Sequence, residues 1–344
     1  ALRGMGTASK VAAADLPRGL KDADPLVRIA ATHAELVWQS QSPEQHQPLF
    51  EQLTADLLQS RAQRHAAAEV LRDAGAAALP ALLATLKAPS VQQDPALQTA
   101  LVDLIGMTGA AARTHVPAVL AAVKTNTVAN ATALARALGR IGGDDPTTLA
   151  KLQELARHEA PAVRTTAMHA LEGFPQASKS TVPQLVTGLS DRETMVRLAA
   201  LDTLAFYGPT AVEALPAIDK ALGDAEGAVT IRAAETLVQI GSAAAPVLAK
   251  RLDDPQYGPL ALQSLGMLGV AGKSAAPQVV AKLAQPGKLD LRELCLTLAF
   301  LQPDPQVAGP ALQKIAQDAK SPARPAALYA LGRIGDRSAE RLIT

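Results

Sequence analysis

Apolar residues recur at helical spacing in short blocks, and each pair of blocks lies between a proline and a glycine. In residues 182–208, Pro183 opens the first block and Ser190 interrupts it. The second block carries small or apolar residues four positions apart, at Val196, Ala200 and Leu204, and Gly208 ends it. Proline suits the first turn of a helix, and glycine suits the position just after the last turn. The pattern therefore predicts two short amphipathic helices joined by a tight turn.

The glycine that ends the second block recurs along the whole chain. The hexapeptide Ala-Leu-Gly-Arg-Ile-Gly occurs at 137–142 and again at 330–335, with weaker copies between. The closing glycines are Gly75, Gly109, Gly142, Gly208, Gly241, Gly269 and Gly335. Their usual spacing is 33 or 34 residues, or twice that where one copy is replaced. A period of this length is typical of stacked helical hairpins, so we expect an all-α fold, an α-solenoid of about ten hairpins.

The second helix follows the pattern V-R-x-x-A-x-x-x-L-x-x-x-G, which we number 1 to 13. Position 5 is small in most copies: Ala31, Ala67, Ala167, Ala200, Ala233, Ala261 and Ala327. Since aromatic residues make up only 2% of the chain, the core must consist of Leu, Val, Ile and Ala. A hairpin with so thin an apolar stripe cannot fold alone, and its neighbours must stack on it.

These features resemble the HEAT-repeat family, in the short bacterial form named after phycobilisome lyase subunits. The matching elements are the proline of the first helix, the aspartate of the turn, the Val-Arg pair, the alanine and the Leu-Gly with its final Ile-Gly. The resemblance covers the whole chain. It implies a solenoid whose second helices line the concave side, where such proteins bind their partners.

The chain is expected to be one repeat array over residues 1–344, cut at both ends. Residues 1–10 correspond to part of a repeat, complete repeats run from 11 to 335, and 336–344 correspond to the start of another. No polar capping repeat is apparent at either end, although solenoids need such caps. We therefore expect this chain to be part of a longer polypeptide; a short native chain with frayed ends is the alternative. A polar loop is expected at 39–48.

Charge and hydropathy restrict the classes of partner. The net charge is +1, from 33 basic and 32 acidic residues, which is not the strong positive charge of a nucleic-acid-binding protein. No run of 18 apolar residues occurs, so no membrane span is expected. We expect a protein partner, and we leave the compartment and the oligomeric state open.

Motifs that carry chemistry are not apparent in the sequence. The six histidines form no HxxxH or HExxH pair, and neither a GxSxG nor a phosphate-binding loop occurs. Cys295 falls at position 5, the alanine position, and is expected to be a small buried hydrophobe. We therefore expect no enzyme activity, no cofactor and no metal site.

The arginine at position 2 also recurs, at Arg28, Arg64, Arg164, Arg197, Arg292 and Arg324. Such a row could follow a phosphate backbone. The favoured interpretation is a ladder of ion pairs with turn aspartates such as Asp24, Asp191 and Asp224, which HEAT repeats commonly have.

The candidate partner-binding surface lies on the second helices. With positions 1, 5, 8, 9 and 12 buried, positions 3, 7 and 11 should form the exposed stripe. The candidate residues are Leu198 and Ile231 at position 3, Asp202 and Glu235 at position 7, and Phe206, Met267 and Leu301 at position 11. They predict an apolar groove with an acidic rim. The alternative is that the curvature of the array buries these apolar residues against the next repeat.

The favoured function is a non-catalytic scaffold or docking module that binds another protein through this concave face, as part of a larger protein or assembly. The resemblance also implies a second possibility, a chromophore lyase subunit or helper of the phycobilisome-lyase type. A third, a HEAT-like DNA glycosylase, would need a cationic groove and aromatic side chains that the sequence does not provide.

Overall fold

The structure is a computed structural model that describes residues 15–38, 46–143 and 145–337. Within these ranges the chain is helical and contains no β-strand, so the predicted all-α solenoid fold is confirmed. The part-repeat expected at 1–10, residues 39–45 of the loop expected at 39–48 and most of the repeat expected to begin at 336 lie outside the described residues, and the last two residues of that loop, Gln47 and Pro48, already belong to a helix. The division of the chain into one continuous array stays a prediction. The contacts between residues divide the chain into two compact units, with the boundary between Phe174 and Pro175.

Unit 1 contains helical hairpins in which a first and a second helix alternate along the chain. Its helices are α1 (Pro25–Trp38), α2 (Gln47–Leu57), α3 (Arg61–Ala74), α4 (Leu79–Leu86), the short α5 (Pro89–Gln93), α6 (Pro95–Met107), α7 (Val116–Ala122), α8 (Val128–Ile141), α9 (Pro146–Leu155) and α10 (Pro161–Ala170). The second helices are α1, α3, α6, α8 and α10, and each packs against the next.

Unit 2 repeats the same arrangement from residue 175 onward. Its helices are α11 (Ser178–Gly188), α12 (Thr194–Tyr207), α13 (Leu215–Ala221), α14 (Gly227–Ile240), α15 (Ala245–Arg251), α16 (Gly258–Leu268), α17 (Ala276–Ala284), α18 (Leu291–Leu301), α19 (Pro305–Gln317) and α20 (Arg324–Ile334). The second helices α12, α14, α16, α18 and α20 pack side by side in this order. They form one layer, and the first helices form the other.

The glycines predicted to end the second helices, which we call stop glycines, have the backbone conformation that the end of a helix requires. All seven have a positive φ, between 53° at Gly208 and 87° at Gly241. Side chains disfavour this region, and glycine occupies it without steric cost. In most repeats a 3-10 turn, such as Gly208–Ala214, then leads into the next first helix. The glycine therefore fixes where each second helix ends and where the chain turns back.

The repeated arginine mainly serves the backbone. In five repeats its guanidinium donates hydrogen bonds to carbonyl groups at or after the end of the preceding first helix, as in Arg164 Nη1 to Glu159 O at 2.7 Å and Arg324 Nε to Ala316 O at 3.0 Å. The other three are Arg28, Arg64 and Arg197. These carbonyls have no partner within their own helix, and the negative end of the helix dipole favours a cation there.

The predicted ion-pair ladder is confirmed at one rung. Arg197 pairs with Asp224 of the next turn, with Nε to Oδ2 and Nη2 to Oδ1 both 2.9 Å. Arg64 and Asp94 are 3.9 Å apart. Asp24 and Asp191 instead accept hydrogen bonds from backbone N–H groups in their own turns. The prediction was therefore wrong in assigning every arginine an aspartate, because carbonyl groups are the more regular partner.

Leucine and alanine fill the space between the two layers. Leu204 and Leu331 are fully buried, and the position-5 alanines of the described repeats are buried except Ala31, which is half-buried. The second helices of unit 1 come closest where glycine replaces a larger residue. A Cβ built on Gly139 would lie 2.7 Å from the Cα of Ala170, and one on Gly106 would lie 2.6 Å from the Cα of Ala137.

Truncation of a core leucine tests the local character of the stack. Leu204→Ala and Leu331→Ala should each lower the free energy of unfolding by about 2–5 kcal/mol, because each leaves a cavity in a closely packed layer. Since repeats contact only their neighbours, amide hydrogen exchange should accelerate mainly in the mutated hairpin and the hairpins beside it. A uniform acceleration over the whole chain would contradict this picture.

Substitution by alanine should have opposite effects on stability at two glycines that occupy the same repeat position. Gly139 and Gly332 each lie three residues before a stop glycine, but a Cβ on Gly332 would have no atom within 4 Å. Gly139→Ala should destabilise the chain by about 1–3 kcal/mol through overpacking. Gly332→Ala should stabilise it by about 0.5–1 kcal/mol, because alanine loses less entropy in a helix. Urea titration of both variants measures the difference, and changes of the same sign would show that the close approach at Gly139 is unimportant.

Candidate functional site

The residues capable of chemistry are dispersed or buried. No group of three or more His, Cys, Asp or Glu residues that could hold a metal ion occurs in the described ranges. His33 Nε2 lies 3.4 Å from the Asp73 carboxylate, and His46 is buried with its ring edge towards Phe50. Cys295 is fully buried, and burial, with a contribution from the charge of Asp290, raises the pKa of its thiol to about 12. The thiol is therefore protonated at neutral pH and packs as the small hydrophobe that the sequence predicts.

The second helices of unit 2 present a regular exposed surface, which we call the second-helix face. It consists of the residues that lie ten, six and two positions before the stop residue, which is the residue directly after each second helix. These residues are Leu198, Asp202 and Phe206 on α12; Ile231, Glu235 and Gln239 on α14; Pro259, Gln263 and Met267 on α16; Arg292, Leu296 and Phe300 on α18; and Pro325, Tyr329 and Arg333 on α20. Spacings of four along a helix place each set of three on one side.

Large apolar side chains on this face are open to solvent. Phe206 is 58% exposed, Ile231 55%, Met267 59% and Phe300 44%. Leu198 is half-buried. Six of the seven residues that the sequence singles out therefore lie on one helix layer, with at least part of each side chain accessible. For Phe206 and Met267 the alternative of burial against the next repeat is wrong.

The prediction for Leu301 is wrong, because that side chain is fully buried. Helix α18 ends one residue earlier than the repeat pattern predicts, and Gln302 takes the stop position with a φ of 47°. Leu301 therefore corresponds to the buried Tyr207, and Phe300 corresponds to the exposed Phe206. The same shift moves Arg292 out of the carbonyl-binding position and leaves it exposed. The sequence pattern assigns Phe300 to position 10, outside the predicted exposed stripe, because it does not reveal that a non-glycine residue ends the helix.

The acidic rim is also less acidic than predicted. Arg232 lies between the two carboxylates, with Nη1 2.5 Å from Asp202 Oδ1 and Nε 3.2 Å from Glu235 Oε2. Arg292 and Arg333 add further positive charge to the face. Arg232 occupies position 4, which the spacing pattern assigns neither to the buried nor to the exposed positions. Its neutralising effect on the two carboxylates was therefore missed. The surface is accordingly apolar and close to neutral.

The equivalent surface of unit 1 has a different chemistry. Arg136 forms a bidentate ion pair with Asp103 of the preceding second helix, with oxygen–nitrogen distances of 2.9 and 3.0 Å. Arg72 pairs with Glu69 at 2.5 Å along α3. These charged groups satisfy one another, whereas the apolar side chains of unit 2 leave about half of their surface in contact with water. The apolar surface of unit 2 is therefore the better candidate for a binding site.

Two of the arginines at position 2 are already occupied by contacts within the chain. The Arg197 side chain is only 12% exposed and is occupied by Asp224 and by backbone carbonyl groups. Arg164 is 8% exposed and donates to two carbonyl groups. These contacts favour the structural role of the row over nucleic-acid binding.

Comparison with known proteins agrees with the repeat pattern. Residues 182–269 match the family model for HEAT repeats. This match covers about a quarter of the chain. This confirms the resemblance at the level of the family, while the finer likeness to phycobilisome lyase subunits stays a prediction. No curated protein sequence shows significant similarity to the chain.

Solved structures that are similar to this chain include a karyopherin and two other proteins. Kap121p, bound to the extreme C-terminus of the protein phosphatase Cdc14p, matches 95% of this chain with a TM-score of 0.55 at 13% identity, and 41% of the Kap121p chain is covered. An engineered protein matches 96% of the chain, with 100% of its own length covered, a TM-score of 0.47 and 18% identity. The Escherichia coli protein YibA matches 87%, again with 100% of its own length, a TM-score of 0.43 and 15% identity. At these identities the similarity concerns the fold alone.

The one-residue shift in α18 can be tested by a pair of adjacent substitutions. Leu301→Ala should lower the free energy of unfolding by about 2–5 kcal/mol, because it removes a fully buried side chain. Phe300→Ala should cost less than about 1.5 kcal/mol, because much of its ring is already in water. Chemical denaturation of the two variants gives both values. If Phe300→Ala were the more damaging, the register predicted from the sequence would be right after all.

Proposed function

We propose that this HEAT-repeat chain is a non-catalytic protein-binding module that holds its partner on the second-helix face of unit 2. The observation that carries the proposal is the exposure of Phe206, Ile231, Met267 and Phe300 on one layer of packed helices. Contiguous exposed apolar surface marks interaction sites, and aromatic and methionine side chains are enriched at the centres of interfaces.

The fold supports this use of the face. The side chains that hold the layers together point between the helices, so the face contributes little to folding and is free to bind. Kap121p, which has the same fold, is seen bound to a segment of another protein. By analogy, this chain would present its second helices to a protein segment, as a docking part of a larger protein or assembly.

A photocrosslinking experiment tests the location of the site. A photoreactive amino acid at position 267 should crosslink a protein partner in the native host, and the same group at position 270 should not. Val270 is as exposed as Met267, at 63%, but lies in the 3-10 turn after α16 rather than on it. It is therefore a matched control for exposure and hydrophobicity. Equal crosslinking at both positions would contradict the proposal.

The captured partner then allows the anchors to be ranked. Phe206→Ala, Met267→Ala and Phe300→Ala should each weaken binding by about 1–3 kcal/mol, because a few central apolar side chains carry most of the energy of an interface. Val270→Ala should leave the affinity unchanged. Isothermal titration with each variant measures the effect, and circular dichroism confirms that the helices persist. Parent-like affinity in all three variants would show that the partner binds elsewhere.

A further inference from the structure

A cavity of about 350 Å³ opens between the start of α16 and the start of α18. We propose that the protein segment bound on the second-helix face inserts an arginine side chain into this cavity. The inference rests on the proposed function, because it describes the occupant of the same surface.

The floor of the cavity is apolar. Leu262 and Leu289 form it, at 3% and 7% exposure, and Pro259 contributes an exposed wall. A long side chain with a methylene stem could lie on this floor and keep its charged end at the rim, as arginine and lysine do on apolar surfaces.

The rim carries two carboxylates and an amide. Asp290 is committed to the helix, since its Oδ1 accepts hydrogen bonds from the backbone N–H groups of Arg292 and Glu293, at 2.7 and 3.2 Å. Glu293 is exposed, and its carboxylate forms no hydrogen bond or ion pair within the described part of the chain. Gln263 completes the rim with a carbonyl acceptor. The cavity therefore offers one uncommitted negative charge beside an amide oxygen.

Arginine has a shape and a charge that fit this arrangement. Its planar guanidinium can bind the Glu293 carboxylate with two parallel hydrogen bonds and still donate to Gln263. An acidic side chain would be repelled by Asp290 and Glu293. Lys288 is the cation that lines the cavity; it is exposed and lies in the loop before α18, so its long side chain can extend into water. Arg292 does not line the cavity.

The position of the cavity also sets a spacing in the partner. Pro259 and Gln263 at the cavity lie on the same side of α16 as Met267, at intervals of four residues. Eight residues of helix measure about 12 Å. The partner segment should therefore carry an apolar residue for Met267 and Phe300, and an arginine about 12 Å away. That distance corresponds to about four residues of an extended strand.

Peptides selected on the intact chain provide the probe. Random twelve-residue peptides are selected for binding to the parent protein, and the tightest one is synthesised with a fluorescent label, together with versions in which arginine is replaced by Gln or by Glu. Fluorescence anisotropy then gives the Kd for the parent chain, for Glu293→Gln and Glu293→Arg, and for Glu213→Gln. Glu213 is an exposed glutamate in the turn Gly208–Ala214, outside the cavity, so it controls for the loss of one charge.

We expect the selected peptides to contain an apolar residue and an arginine at this spacing. Glu293→Gln and the Gln peptide should each weaken binding about tenfold, and the two changes together should cost little more than either alone. Glu213→Gln should have no effect. Glu293→Arg should abolish binding of the arginine peptide and recover at least part of it with the Glu peptide.

The outcomes separate this inference from the proposed function. Peptides that lose affinity in Met267→Ala and Phe206→Ala, yet bind equally well without arginine, would overturn the arginine inference and leave the function intact. Peptides that are insensitive to both alanine substitutions would overturn both. If no peptide binds the parent chain, the inference is overturned, while the crosslinking experiment still decides the function.

Discussion

The close packing of successive second helices is the interaction on which the rest of this structure depends. Each hairpin has only a narrow apolar stripe, built mostly from leucine and alanine, and has too little apolar surface to fold alone. Small residues let neighbouring helices approach until backbone meets side chain, as Gly139 and Ala170 do in unit 1. The stop glycines and the carbonyl-binding arginines keep most hairpins in the geometry that this approach requires. A larger residue at the contact would push neighbouring second helices of the same layer apart.

This constraint leaves one side of each second helix free to vary. The positions two, six and ten residues before the stop residue lie outside the close contact between neighbouring second helices. Their chemistry can therefore differ between units that share a fold. In unit 1 they include the ion-paired Asp103 and Arg136, and in unit 2 they include Phe206 and Met267. The fold and the proposed binding function therefore depend on different residues of the same helix. A match to HEAT repeats identifies the fold but not the function.

The sequence predicts the parts of the structure that repeat. The positive φ of every predicted stop glycine follows from the spacing alone, as do the helix pairs and the buried alanines. It fails where a repeat departs from the pattern. In α18 a single non-glycine stop, Gln302, shifts the register by one residue and exchanges the buried and exposed positions of Leu301 and Phe300. No pattern of hydrophobicity reveals this, because both residues are apolar.

A second departure replaces the arginine of α6 by an amide. Gln98, at position 2, is buried and donates to the carbonyl group of Ala122 at the end of the following first helix, at 3.2 Å. It also accepts from Asn130 Nδ2 at 2.7 Å. A network of this kind depends on which carbonyl group lies within reach of a short side chain, and that is set by packing rather than by local sequence. The candidate site was more predictable, because exposure on a helix follows from periodicity, whereas its ion pairs, such as Arg232 with Asp202, join different repeats.

The aromatic residues of the proposed site lie against neighbouring groups of the fold. The Phe206 ring lies 6.2 Å from the ring of Tyr207, centre to centre, and the Tyr207 hydroxyl is 3.1 Å from Thr181 Oγ1 in the first helix of the same hairpin. The Phe300 ring packs over Gly266 of α16, where a Cβ would lie 3.8 Å from its Cδ2. Side chains restricted in this way lose less entropy on binding than free ones, so more of their buried area contributes to affinity. Met267, on the same helix as Gly266, is flexible and can adapt to the partner. The site therefore combines two rings that lie against the fold with one adaptable side chain.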